Sequence, residues 1–81
     1  MAIVRKLEQI TLEKDSKHTD VDATYSIIKS GGASYLQIDT YGSKDRQIEG
    51  KKSQSIRLAP EAIDQLLSII AKNNLGLRKK T

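Results

Sequence analysis

Two kinds of side chain with binding chemistry gather in the middle of this 81-residue chain. Lys29, Lys44, Arg46, Lys51, Lys52 and Arg57 can offer positive charge to phosphates, and Tyr25, Tyr35 and Tyr41 are the only aromatic residues. Cations on phosphates give a salt-dependent attraction that tolerates sequence. Aromatic faces stack unpaired bases, worth roughly 1–3 kcal/mol per base. Together they suit an unpaired nucleic-acid strand. The plainer alternative is a solvated basic surface with tyrosines that merely favour strands. The distribution of charge points the same way: residues 1–22 carry 4 basic and 5 acidic side chains, residues 23–57 carry 6 and 3, and residues 58–81 carry 4 and 2. A basic middle and end beside a slightly acidic start fit a partner of negative charge.

Other chemistry is poorly served. There is no cysteine, and the single histidine, His18, sits in the polar run Ser16–Asp20. Zinc sites take three or four nitrogen or sulfur ligands, so no metal centre is expected. A nucleophile needs a base within hydrogen-bond reach; Asp39 with Asp45 or Glu49 offers carboxylates, but no spacing singles them out. The glycines precede strands rather than a helix, which removes the phosphate-cradle pattern. The chain is expected to be no enzyme and to need no cofactor.

These cations and tyrosines need elements to position them. Ala23–Lys29 and Ser34–Tyr41 alternate as two strands of a hairpin around Ser30-Gly31-Gly32, where the glycines supply positive φ. Leu36, Ile38 and Thr40 share one face, expected to meet a helix; Tyr35, Gln37, Asp39 and Tyr41 share the other. Each tyrosine, Tyr25 included, is assigned by alternation to the polar face of its strand. Ile3–Leu12 reads as a first strand with a bulge, or less well as a short helix over residues 3–9. Lys14–Asp22 then reads as a polar hairpin tip. Gly42–Lys52 reads as an exposed turn, with a short strand around Arg46–Ile48. Ser53–Leu58 is the last strand, with Ile56 and Leu58 toward the core and Arg57 away from it.

Pro60 opens a helix where its missing N–H costs nothing. Glu61 sits in the first turn, where the helix dipole favours a carboxylate, and Ala59 is a weak N-cap. The helix runs over residues 60–74, ended by Asn73, Asn74 and Gly76, before a basic tail of Arg78, Lys79 and Lys80. Its apolar residues form two adjacent stripes, Ala62-Leu66-Ile69 and Ile63-Leu67-Ile70. That is wider than the single stripe of about 100° on an ordinary surface helix. Ile63, Leu66, Leu67 and Ile70 are therefore expected to pack against a second copy. Ile3, or Leu75 and Leu77, folding back over the helix is the alternative. A single domain of this size buries only roughly 60–65% of its unfolded surface, so pairing also suits its stability. No apolar run reaches the roughly 20 residues of a membrane span, no secretory leader is evident, and a cytoplasmic location is expected.

The order of these pieces resembles the positive cofactor four family, transcriptional coactivators with bacterial and phage relatives. The resemblance covers roughly residues 24–73. It rests on Tyr35-Leu36-Gln37-Ile38-Asp39, on Gly50-Lys51-Lys52, and on Ile56-Arg57-Leu58-Ala59-Pro60-Glu61 followed by Gln65-Leu66. It implies an α+β fold, a four-stranded antiparallel sheet followed by one C-terminal helix, dimerising through that helix. It also implies sequence-tolerant binding of single-stranded nucleic acid, DNA favoured, by the sheet. By position, Lys51 and Lys52 resemble backbone contacts, Lys29 and Arg46 occupy comparable places, and Tyr41 stands near an aromatic that contacts bases. The chain departs from the family pattern in three places. Ser53 and Gln54 lengthen the link after Gly-Lys-Lys, Thr40 or Asp39 stands where a basic residue is frequent, and Ile63 replaces a helix tryptophan. The rival to nucleic-acid binding is a protein-interaction or structural module of the same fold.

Overall fold

The computed structural model describes residues 1–42 and 52–76. Its elements are β1 (Ala2–Val4), β2 (Ala23–Ser30), β3 (Ala33–Tyr41), β4 (Lys52–Leu58) and α1 (Pro60–Asn73). The strands form one sheet in the order β1-β4-β3-β2, an α+β layout in which α1 touches β3 and β4.

The β2–β3 hairpin follows the sequence closely. Its ladder runs unbroken from Ala23 opposite Thr40 to Ser30 opposite Ala33. Gly31 and Gly32 lie at φ 57° and 80°, the positive values that a two-residue turn of this twist requires and that only glycine adopts without strain. β3 pairs antiparallel with β4, with a register shift at Thr40/Tyr41.

The start of the chain differs from expectation. The sheet is mixed, not purely antiparallel, because β1 pairs parallel with β4, Ala2 opposite Ile56 and Val4 opposite Leu58. The first strand is three residues long instead of running to Leu12, and residues 5–22 contain neither strand nor helix. Since β1, β4 and β2 all run the same way, residues 5–22 cannot be a hairpin. They are a crossover from one sheet edge to the other, as parallel strands require. Side chains account for the diversion: Gln65 of α1 accepts from the Leu7 N–H at 2.8 Å and donates to the Leu7 carbonyl at 3.0 Å. With its backbone groups taken by the helix, the chain beyond Val4 has left the sheet. His18 lies in this crossover, its Nδ1 2.7 Å from the Ser16 carbonyl oxygen.

The helix starts as its sequence suggests. Ala59 is extended and offers no side-chain cap, Pro60 is in the first turn, and Glu61 follows. Ala59 compensates through its backbone, donating to the Val4 carbonyl and accepting from the Ile63 N–H, both at 2.9 Å. At the far end Asn74 adopts the left-handed conformation at φ 52°, and Leu75 N–H reaches the Ile70 carbonyl at 3.1 Å, a common helix stop. The core sits at this strand–helix junction, where Leu58 is 7% exposed and Ala59 and Ala62 are fully enclosed. No large side chain among the described residues is completely buried, a small core even for so short a chain. No helix is long and apolar enough to cross a membrane among the described residues.

Candidate nucleic-acid interface

Residues opposite one another in paired strands share a face, so the register sorts every strand residue to one side of the sheet. One side carries the rungs Arg57–Gln37–Ser26 and Ser55–Asp39–Thr24, with Tyr41 beside Lys52 and Tyr35 beside Ile28. The other carries Leu58–Leu36–Ile27 and Ile56–Ile38–Tyr25, with Val4 and Ala2 continuing the rows. The first side is polar and the second aliphatic.

On the polar side the central strands hold a closed hydrogen-bond network. Arg57 donates to Gln37 Oε1 through Nε at 3.0 Å and through Nη2. Gln37 Nε2 donates to both oxygens of Asp39, at 3.1 and 3.3 Å. Ser55 Oγ donates to Asp39 Oδ1, and Lys52 Nζ lies 3.4 Å from Asp39 Oδ2. Ser55, Gln37 and Lys52 all favour the carboxylate form and hold the Asp39 pKa below its ordinary value, against the opposing effect of burial. Among the described residues no buried side-chain nitrogen or oxygen lacks a partner. Arg57 is thus a cation fixed in direction, since Gln37 grips one edge of its guanidinium. The Nη1 edge has no partner among the described residues, which leaves it able to fork onto a phosphate. Arg5, absent from the sequence-based list, joins this side: Tyr35 first and Glu61 second favour its charged form.

The structure separates several residues that alternation had grouped. Tyr25 pairs with Ile38, so it lies on the aliphatic side, opposite Tyr35 and Tyr41. The reason is register: faces alternate within a strand, but which face meets which is set by the turn, and Gly31-Gly32 puts odd residues of β2 beside even residues of β3. Tyr41 is 6% exposed, its hydroxyl 3.1 Å from Thr24 Oγ1, so its ring is core and cannot stack a base. Tyr35 is half-buried, and Lys29 is exposed on the side of Tyr25. A three-tyrosine platform is therefore not assembled. Ile56, expected in the core with Leu58, is 39% exposed. Lys44, Arg46 and Lys51, and the strand expected around Arg46–Ile48, lie outside the described residues.

Gln37, Asp39 and Ser55 were the residues sequence reasoning missed as positioners. Their signal was available: polar residues at matching parity in two central strands, where apolar ones would be ordinary. On the aliphatic side, Met1, Ala2, Ile38, Thr40, Gln54 and Ile56 border an open depression of about 650 Å³. On α1, Ile63 and Leu66 are half-buried, whereas Leu67 is 63% and Ile70 37% exposed. No family model, curated protein or solved structure matches this chain.

Proposed function

We propose that this chain binds single-stranded nucleic acid, DNA in preference, through the polar face of its sheet, as the resemblance to the positive cofactor four family implies. The observation that carries the proposal is Arg57, held by Gln37 with its outer edge available, on a face that also bears Lys52, Arg5 and Tyr35. Binding is led by charge rather than by stacking, because only Tyr35 among the tyrosines remains beside these cations. Asp39 neutralises part of Lys52, which limits affinity. An accessory role in transcription or replication fits such sequence-tolerant binding. The active form is a homodimer through α1, supported by Leu67 and Ile70, apolar residues that the protomer leaves in water.

The test is fluorescence anisotropy with a labelled oligonucleotide across a salt series. Single-strand binding gives a log–log salt slope that falls by about 0.7 for each phosphate contact removed. Arg57→Ala and Lys52→Ala should each flatten the slope by about that amount. Absence of binding at low salt overturns the proposal. The second reading, a protein-interaction module, has its own observation: Tyr25 and Ile27 are 74% and 59% exposed on the aliphatic side. Retained structure with no oligonucleotide binding at any salt favours it.

A further inference from the structure

The outer edge of β2 is the longest unguarded strand edge among the described residues. Exposed edges are normally blunted by proline, a bulge, a central charge or brevity. β2 has eight residues and no proline, its ladder with β3 contains no bulge, and its one charge, Lys29, is near the end. β1, at the opposite edge, is only three residues long.

The direction of its backbone groups follows from the turn. Ser30 and Ala33 flank a two-residue loop, so they exchange hydrogen bonds, and every second pair after them does likewise. Tyr41 N–H donating to the Asp22 carbonyl at 3.1 Å continues this series. Even-numbered residues of β2 therefore bond inward to β3, and Ala23, Tyr25, Ile27 and Lys29 point their N–H and C=O groups outward.

We propose that this edge is an interface between two copies of the chain, β2 pairing antiparallel with β2 of a second copy about a two-fold axis at Ser26. In that register Tyr25 faces Ile27 of the other copy, twice by symmetry. These are the two most exposed large apolar side chains of β2, 74% and 59%, and aromatic with β-branched is a favourable cross-strand pair. Lys29 faces Ala23 of the other copy, a small residue that leaves the lysine room to reach water. All four outward residues of each strand find backbone partners, and two four-stranded sheets join into one. Self-complementarity of this kind is what an isologous contact requires. It selects a second copy, which in one register sets Tyr25 against Ile27 twice, over an unrelated extended peptide, which would have no reason to match both positions. The contact is independent of the α1 surface and of nucleic-acid binding.

The chain has no cysteine, which makes the register directly testable. Ser26 and its symmetry mate form a non-hydrogen-bonded pair with Cα atoms about 4.5 Å apart, within disulfide range. Ser26→Cys should cross-link almost completely into a disulfide dimer under mild oxidation, whereas Ile28→Cys and Ser30→Cys should remain largely uncoupled. Equal cross-linking at all three positions, or none at Ser26, overturns the proposal. Ile27→Pro is the second variant: the N–H it deletes points outward, so the β2–β3 ladder keeps its bonds. It should weaken self-association measured by sedimentation about tenfold or more, in the wild-type helix and equally in a Leu67→Glu background. Unchanged association in both backgrounds counts against the edge contact. A folded Leu67→Glu variant that dissociates fully, with no residual β2 pairing, does the same.

Discussion

The two faces of the sheet invert the usual rule of burial. On the polar face Gln37 and Asp39 are 6% and 3% exposed, while on the aliphatic face Tyr25 and Ile27 are 74% and 59% exposed. Position in the sheet explains part of this: Gln37 and Asp39 lie on a central strand between Arg57, Lys52 and Tyr41, whereas Tyr25 and Ile27 lie on the edge strand. The rest is coverage. Leu58 at one end of the aliphatic face is enclosed near the helix start, and Ile56, two residues away on the same face, is 39% exposed. The polar face is satisfied from within one protomer by its own hydrogen bonds. The aliphatic face is satisfied only at the Leu58 end, and its outer part has apolar surface still in contact with water.

The sharpest way to break this comparison is at the covered end of the aliphatic face. Leu58→Ala removes a side chain 7% exposed from the small core, and buried leucine truncations cost about 2–5 kcal/mol. For a domain with so little enclosed apolar surface this should abolish a cooperative transition in urea at room temperature. A loss under about 1 kcal/mol would place the core elsewhere.

Next in size is the centre of the polar face. Gln37→Ala removes the acceptor for Arg57 and one donor to Asp39 in a single step. Hydrogen bonds to charged groups contribute about 1.5–3 kcal/mol, and a drop in that range is expected in denaturant titrations. The same variant frees the Arg57 guanidinium to swing. Oligonucleotide affinity should therefore fall although no charge has been removed, a combination that separates positioning from simple electrostatics.

Local pattern made the hairpin, the last strand and the helix legible in the sequence. Alternation, Gly31-Gly32 and Pro60 are all short-range signals, and each met its element within a residue or two. Three features were not legible, for three physical reasons. Pairing of β1 depends on contacts across the chain, and Gln65 reaching the backbone of Leu7, 58 positions earlier, leaves no periodic trace. Relative facing of β2 and β3 depends on turn register, and a wrong parity put Tyr25 with Tyr35 and Tyr41. Burial of Tyr41 goes with its hydroxyl meeting that of Thr24, a contact across strands that composition cannot reveal. Of the cations on the polar face, Lys52 and Arg57 were picked out in the sequence, whereas Arg5 and the positioning residues Gln37, Asp39 and Ser55 were not.

Acid sharpens the comparison further, because the one carboxylate on the described strands, Asp39, lies on the polar face. The Asp39 pKa is held below the ordinary 3.8, with the Ser55 hydroxyl the largest cause and Gln37 and Lys52 adding to it. A carboxyl with a depressed folded-state pKa contributes stability that is present in full above the unfolded value. That contribution declines as pH falls below the unfolded value and is lost once pH has passed the folded one. Thermal melts should therefore show a loss beginning below about pH 4. Asp39→Asn should flatten that acid limb while lowering stability at neutral pH. An unchanged acid limb in Asp39→Asn would move the origin of acid sensitivity to other carboxylates.

The smallest effect belongs to the exposed edge of the aliphatic face, and its dependence on concentration is what makes it informative. In a dilute protomer Tyr25→Ala removes a ring that is already 74% in water, so stability should change by no more than about 0.5 kcal/mol. If a second copy covers that ring, the same substitution acts on the associated state only. The difference between wild type and variant should then grow with protein concentration, because association stabilises the folded form by mass action. Melting points of the two proteins measured across a hundredfold range of concentration should coincide at the low end and diverge at the high end. Parallel lines across the whole range would mean that the edge stays in water, and the inverted burial of the two faces would then belong to the isolated protomer alone.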